Sequence, residues 1–304
     1  MSPARRSAYR LRVWRRRRPR PSKNNALALF AGPVPHFGRD LRVSARNSQH
    51  WSNIVRSASA IIAALLLVTP AGIATAGDHP APFVEPKLYV AKGGAAAPQV
   101  ALTLDACSGQ TDLRILNTLV ENRIPATIFV TARWMRHNAE ALAVMKAHPD
   151  LFELENHGFN HIPAIDNQPT MFGLKTAGSE AAIRSEIQGG VDAMLKASVA
   201  KPVWYRDATA RYSENGIRII HEMGYRVAGY SLNADMGASL MAGLVEKRIA
   251  AAKDGDVIIA HINQPGRVAG AGVAKGVLAL QQKGFRFVRL QDVPVSAQPV
   301  RSGV

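Results

Sequence analysis

Two histidines four residues apart, His157 and His161, follow the run Leu151–Leu154 in a chain of 304 residues. Imidazole pairs suit zinc and neighbouring divalent metals, and such a pair needs a third ligand, commonly a carboxylate. The spacing alone also arises by chance on helices, so its weight comes from its company. The runs Val100–Asp105 and Asp256–His261 repeat the plan of an apolar strand that ends in an ionisable group. An acid such as Asp105 at the end of an apolar strand is costly to bury unless it is paired or functional. The alternative is a cap for the following helix, a role open also to Ser108 and Thr111. Arg206 is placed to pair with Asp105 across a sheet. His261 is either a proton donor to a leaving group near neutral pH or a satisfied core histidine. Three such endings point to one shared site.

The elements that must position these groups alternate along the chain. Strands are expected at Val100–Asp105, Ala126–Thr131, Leu151–Asn156, Pro202–Arg206, Arg226–Ser231, Asp256–His261 and Phe285–Leu290. Helical patterns lie between them at Asp112–Asn122, Arg133–Ala147, Ser179–Ala197, Ser213–Met223, Leu240–Lys253 and Val273–Lys283. Leu113, Leu116, Leu119 and Val120 give the stripe of a half-buried helix. Gly224 and Gly284 fall where helices should stop. Continuous apolar strands separated by helices imply a parallel sheet with both faces covered. Polar residues gather after the strands, as they do where α/β folds place their sites. Seven units favour a single-domain, distorted (β/α) barrel of about seven parallel strands, with the loop His161–Gly178 overhanging the polar face.

The formal charge of +16 is unevenly spread. Residues 1–76 hold 14 Lys and Arg against the single acid Asp40, so the rest of the chain is close to neutral. That division removes the case for a folded nucleic-acid binder. Arg56, the apolar run Ile61–Val68, Pro70 and Ala74-Thr75-Ala76 read as a secretory signal cleaved after Ala76. An uncleaved anchor is the alternative, although the run is short for a permanent span. The Arg-rich segment ahead of the signal suggests a start further along, at Val43 or Val55, or else a disordered basic arm. Residues 77–98 read as a linker, 99–292 as the folded domain and 293–304 as a tail. The expected location is periplasmic or secreted, with no stable membrane span after cleavage. Cys107 is the only cysteine, so no intrachain disulfide forms.

Over about residues 98–292 the chain resembles the polysaccharide deacetylase family with the NodB homology domain, carbohydrate esterase family 4. The family's Thr-Phe-Asp-Asp stands here as Thr103-Leu104-Asp105-Ala106, and its His-Ser/Thr-x-x-His as His157-Gly158-Phe159-Asn160-His161, preceded by a matching Asn156. Of the third motif Arg206-Asp207-Ala208-Thr209 keeps only the arginine, Asp235 matches the late aspartate, and Ile258-Ile259-Ala260-His261 matches the last strand. The resemblance implies a divalent metal, zinc in the first instance, held by two histidines and an aspartate. It implies Asp105 as general base and His261 as general acid, with Arg206 orienting Asp105 and Asp235 tuning His261. The implied substrate is an N-acetylated sugar in a cell-envelope or extracellular polysaccharide.

The departures matter. The family's ligating aspartate is its second, and here that position is Ala106. A water, a carboxylate from Asp207 or Asp112, or Cys107 after local rearrangement would have to substitute. Asp207 is the preferred substitute because it replaces a family proline beside Arg206. Gly158 and the lost prolines suggest an altered groove. Two other functions stay in view: a carbohydrate-binding protein that kept the barrel and lost the metal, and a hydrolase of a different non-peptide amide. Trp134 and Trp204 are candidates for stacking on sugar rings, with core packing the alternative for Trp204.

Overall fold

In the computed structural model, which describes residues 83–298 and the backbone of 301 and 302, two short strands come first: β1 (Phe83–Val84) and β2 (Lys87–Val90). The alternation proper begins with β3 (Gln99–Ala106), α1 (Leu113–Glu121), β4 (Ala126–Val130), α2 (Ala132–His137), α3 (Ala139–Ala147) and β5 (Phe152–Asn156). A small hairpin, β6 (Thr170–Met171) and β7 (Leu174–Lys175), lies inside the expected overhanging loop. Then follow α4 (Glu180–Lys196), β8 (Trp204–Tyr205), α5 (Glu214–Glu222), β9 (Arg226–Val227) and β10 (Leu232–Asn233). The chain continues through α6 (Ala242–Ala250), β11 (Val257–His261), α7 (Ala269–Gln282), β12 (Arg286–Val288), β13 (Val295–Gln298) and β14 (Arg301–Ser302).

Seven strands pair in the order β10-β11-β3-β4-β5-β8-β9, all parallel, with β12 adding parallel to β3. The sheet curls without closing, which makes it the distorted (β/α) barrel expected. Register sorts its side chains. Thr103 pairs with Thr127 and Ile259, Asp105 with Phe129 and His261, and Thr127 and Phe129 with Glu153 and Glu155. Successive strand residues point to opposite faces, so these share the concave face. Leu102, Leu104, Ile128, Ile258 and Ala260 point the other way, into the apolar cluster with α1 and α7. Each of these leucine and isoleucine side chains contributes roughly 1.5–3 kcal/mol when fully buried.

Several expectations shift by a residue or more. Asn138 splits the helix expected over Arg133–Ala147 into α2 and α3, because its side chain is taken up elsewhere. Its Oδ1 accepts from the Thr111 N–H at 2.8 Å and its Nδ2 donates to the Trp134 and Gly109 carbonyls. In α1 the buried stripe is Ile115, Leu116 and Leu119, while Leu113, the first residue of the helix, is exposed. The strand expected over Arg226–Ser231 stops at Val227, and the chain re-enters the sheet as β10. Helices α5 and α7 do end ahead of Gly224 and Gly284, which take the left-handed backbone.

The segments expected as linker and tail are partly structured. β2 pairs antiparallel with β13, and β1 with β14. Leu88 and Val90 are buried with Phe129, Trp204, Val257 and Leu290, filling the concave side. Alternation at Leu88 and Val90 carries the signal, masked by the surrounding Pro, Gly and Ala. The segment expected as basic leader and signal peptide lies outside the described residues. Among the described residues no helix is long and apolar enough to cross a membrane.

The concave face also buries two acids side by side on β5. Glu155 accepts from the Val203 and Trp204 N–H groups, and Glu153 from the Thr127 hydroxyl and the Gln291 N–H. Burial, with the nearby charge of Glu153 adding to it, pushes Glu155 up to about 9. The folded protein therefore keeps a proton that the unfolded chain releases above roughly pH 4.5. This contribution to stability is fully present below that pH and is lost as pH rises towards 9. Thermal melts should show a smaller loss of Tm between about pH 5 and pH 8 for Glu155→Gln than for the parent chain. Identical pH slopes would contradict the assignment.

Candidate active site

The site is built where β3, β5, β8 and β11 end. Asp105, buried on the last turn of the concave face, receives Arg206 Nη1 on Oδ1 at 2.9 Å. Arg206 is wholly buried. Its Nη2 donates to the Gly229 carbonyl at 2.9 Å, its Nε to Ala228, and its guanidinium stacks 4.1 Å from the Phe129 ring centre. A buried guanidinium needs this degree of satisfaction. Burial alone would raise Asp105, but the charge of Arg206, then those of His157 and His261, hold it below the ordinary carboxylate value.

His157 follows β5 directly. Its Nδ1 lies 2.8 Å from the Arg206 carbonyl, an acceptor, so Nδ1 carries the proton. That leaves Nε2 turned into the site, 4.0 Å from Asp105 Oδ2 and 3.6 Å from Cys107 Sγ. Burial opposes a charge on this ring, yet Asp105 and the thiol push it up to about 8. His161 lies edge-on to His157, ring centres 4.9 Å apart, on a backbone at φ 67°. That left-handed conformation is unfavourable by about 1–2 kcal/mol for a residue with a Cβ. It is enforced by Glu186 of α4, whose Oε1 accepts from the N–H groups of Asn160 and Ile162 on either side.

His261 ends β11. Asp235 Oδ2 accepts its backbone N–H at 2.7 Å, and Oδ1 its ring Nδ1 at 3.0 Å. Burial disfavours the imidazolium, but Asp235 outweighs it and holds the group well above the ordinary histidine value. The ring keeps 18% of its surface exposed, so its other face is accessible.

Asp105, His157, His161, Arg206, Asp235 and His261 thus converge. Asp207 is treated differently by the fold: its Oδ2 accepts from the Ala164 N–H and its Oδ1 from the Thr209 N–H, both at 2.9 Å. Burial raises it to about 6. Asp112 caps α1 and is engaged by Arg114. Among the described residues, three potential ligand atoms that all lie within 4.8 Å of one another belong to Cys107, His157 and His161. Strand alternation accounts for this. Asp105 faces the site, Ala106 turns into the apolar cluster behind the sheet, and Cys107 turns back. The imidazoles of His161, His157 and His261 surround its sulfur; burial raises the thiol, and they hold it well below its ordinary value. Reasoning from sequence ranked Cys107 behind a carboxylate, and it missed Asn138 and Glu186, whose side chains fix the loops that carry Cys107 and His161. Trp134 and Trp204 are both buried in the core and present no sugar-stacking face.

Parallel α/β barrels carry their sites at the C-terminal ends of their strands, where these charged groups stand. A family model described as polysaccharide deacetylase matches residues 92–228, so the chain is similar to that family and is consistent with a divergent member of it. A CE4 family pseudoenzyme from Bacillus anthracis shares 18% identity at a TM-score of 0.52, covering 66% of this chain and 66% of its own. A family 4 carbohydrate esterase from Streptomyces lividans shares 20% at 0.50, covering 64% of this chain and 93% of its own. The peptidoglycan deacetylase PdaC from Bacillus subtilis shares 20% at 0.52, covering 64% and 89%. These likenesses are of fold. No curated protein matches the chain.

Gly158 explains one departure from the family motif. Its φ is 91°, and a Cβ there would lie 2.5 Å from Glu186 Oε1. Gly158→Ser, although nearer the family pattern, should lower stability in urea titrations by about 1–3 kcal/mol. A neutral effect would mean that the histidine loop is not held as described.

Proposed function

We propose that the protein hydrolyses the amide C–N bond of N-acetylated sugars in a cell-envelope or extracellular polysaccharide. The observation that carries this reading is the placement of Asp105, bound to Arg206, and His261, bound to Asp235, at neighbouring strand ends, paired in register, beside two imidazoles. His157 and His161 suit a divalent metal such as zinc: one Nε2 is aimed into the site, and the other is buried without a hydrogen bond of good geometry among the described residues. When bound, such a metal would polarise the acetyl carbonyl and make water a better nucleophile.

The chain's own groups divide the proton work. Asp105, kept ionised by Arg206, takes the proton from the attacking water. His261 gives a proton from Nε2 to the departing sugar amine, because an unprotonated amine is a poor leaving group. Asp235 keeps Nδ1 protonated and the ring cationic, so a proton is available at neutral pH. Arg206 acts through Asp105 as a positioning residue. Export to the periplasm or beyond, proposed from the leader, would bring the protein to such glycans, and no nucleic acid or stable membrane span enters the reading.

A second reading is favoured by one observation, Ala106 in place of a family carboxylate: a glycan-binding protein without turnover. A pseudoenzyme among the similar folds makes this a real alternative. Hydrolysis of a different non-peptide amide would use the same groups.

Acetate release from N-acetylated chitooligosaccharides and peptidoglycan fragments tests the proposal. Activity should fall by on the order of 100-fold or more in Asp105→Ala and His261→Ala. Glycan binding with no acetate released by the parent chain would favour the second reading. Asp235→Asn removes the charge that raises His261, so the alkaline limb of kcat/KM should move to lower pH. An unmoved limb would remove His261 from the role of acid.

A further inference from the structure

We infer that the Cys107 thiolate is the third protein ligand of the metal site, in place of the carboxylate lost at position 106. The inference rests on the metal-dependent reading above. Four observations on separate residues carry it. Sγ lies 3.6 Å from His157 Nε2, and the three donor atoms of Cys107, His157 and His161 fall within 4.8 Å of one another. A tetrahedral centre with a Zn–S bond of about 2.3 Å and a Zn–N bond of about 2.0–2.1 Å spaces its S and N atoms by roughly 3.5 Å. The His157 tautomer is fixed from behind by the Arg206 carbonyl, the outer contact that metal-bound histidines use, and this leaves the Nε2 lone pair towards the sulfur. His161 is held on a left-handed backbone with Nε2 buried and unsatisfied, an arrangement that a ligand would repay. Asp207 has both carboxylate oxygens on backbone N–H groups, and moving it would strand the Ala164 and Thr209 amides.

Cys107 is also held in place independently of any ion. Its carbonyl accepts from the Thr131 hydroxyl, and Asn138 clamps the loop that follows through Thr111 and Gly109. Binding would release the thiol proton to solvent and keep a single negative charge where the family has a carboxylate. The substitution changes the kind of donor. Sulfur is soft, so the site should favour zinc and cobalt over magnesium and manganese, the preference of carboxylate and water sites.

Cobalt(II) added to the purified, metal-stripped protein separates the possibilities without reference to turnover. One equivalent should bind and give a thiolate-to-cobalt charge-transfer band in the near ultraviolet. Asp207→Asn should keep the band. Cys107→Ala should lose it, with affinity falling by more than the roughly 10–100-fold caused by changes outside the ligand set. Cobalt that binds the parent chain, depends on His157, and gives no such band would overturn the assignment of Cys107 while leaving the metal-dependent reading intact. Failure of the parent chain to bind cobalt at all would overturn both. Because the parent spectrum decides, a Cys107 variant that fails to fold does not rescue the proposal.

Discussion

Everything at the mouth of this barrel is arranged around a buried ion pair, Asp105 with Arg206. Neither charge could be tolerated there alone, since an unpaired charge in such a setting is unfavourable by several kcal/mol. Together they fix far more than each other. Arg206 ties β8 to β3 through its side chain, and its own carbonyl orients His157, so one residue sets both the carboxylate and the imidazole tautomer. The remaining guanidinium nitrogens reach the chain just beyond β9. Removal of the arginine would free the carboxylate, unseat the histidine and open the seam between strands.

The rest follows from alternation along parallel strands. One face of β3, β4, β5 and β11 supplies apolar side chains to the helices; the other supplies Thr103, Asp105, Thr127, Glu153, Glu155 and His261 to a concave, partly polar interior. That interior is sealed below by Leu88, Val90 and Leu290. At its upper end the same alternation turns Ala106 away and Cys107 towards the histidines. The loss of a carboxylate at one position is thus answered by a different donor at the next.

Much of this was legible in the sequence. The runs ending in Asp105, Asn156 and His261 are legible because buried parallel strands need few polar residues and those at their ends stand out. The pairing of Arg206 with Asp105 is expected from the residues themselves and that of Asp235 with His261 from the family resemblance, and both are present in the structure. Asp207 has the right chemistry and stands beside Arg206, but nothing in the sequence shows that two backbone amides, one from Ala164 on a distant loop, claim its oxygens. The place of Cys107 is not legible in the sequence, because a strand end leaves the facing of the next residue undetermined until its loop is fixed, here by Asn138 and Thr131. The strands β2 and β13 escaped notice because each is short and finds its partner some two hundred residues away.

A double-mutant cycle on Asp105 and Arg206, measured by urea unfolding, tests the central claim most directly. Asp105→Ala and Arg206→Ala should each lower stability by about 3–5 kcal/mol, since each strands a buried charge. The double variant should be little worse than either one, giving a coupling energy close to a single loss, about 3–5 kcal/mol. Single losses that are small, or that simply add in the double variant, would show that this ion pair does not organise the site.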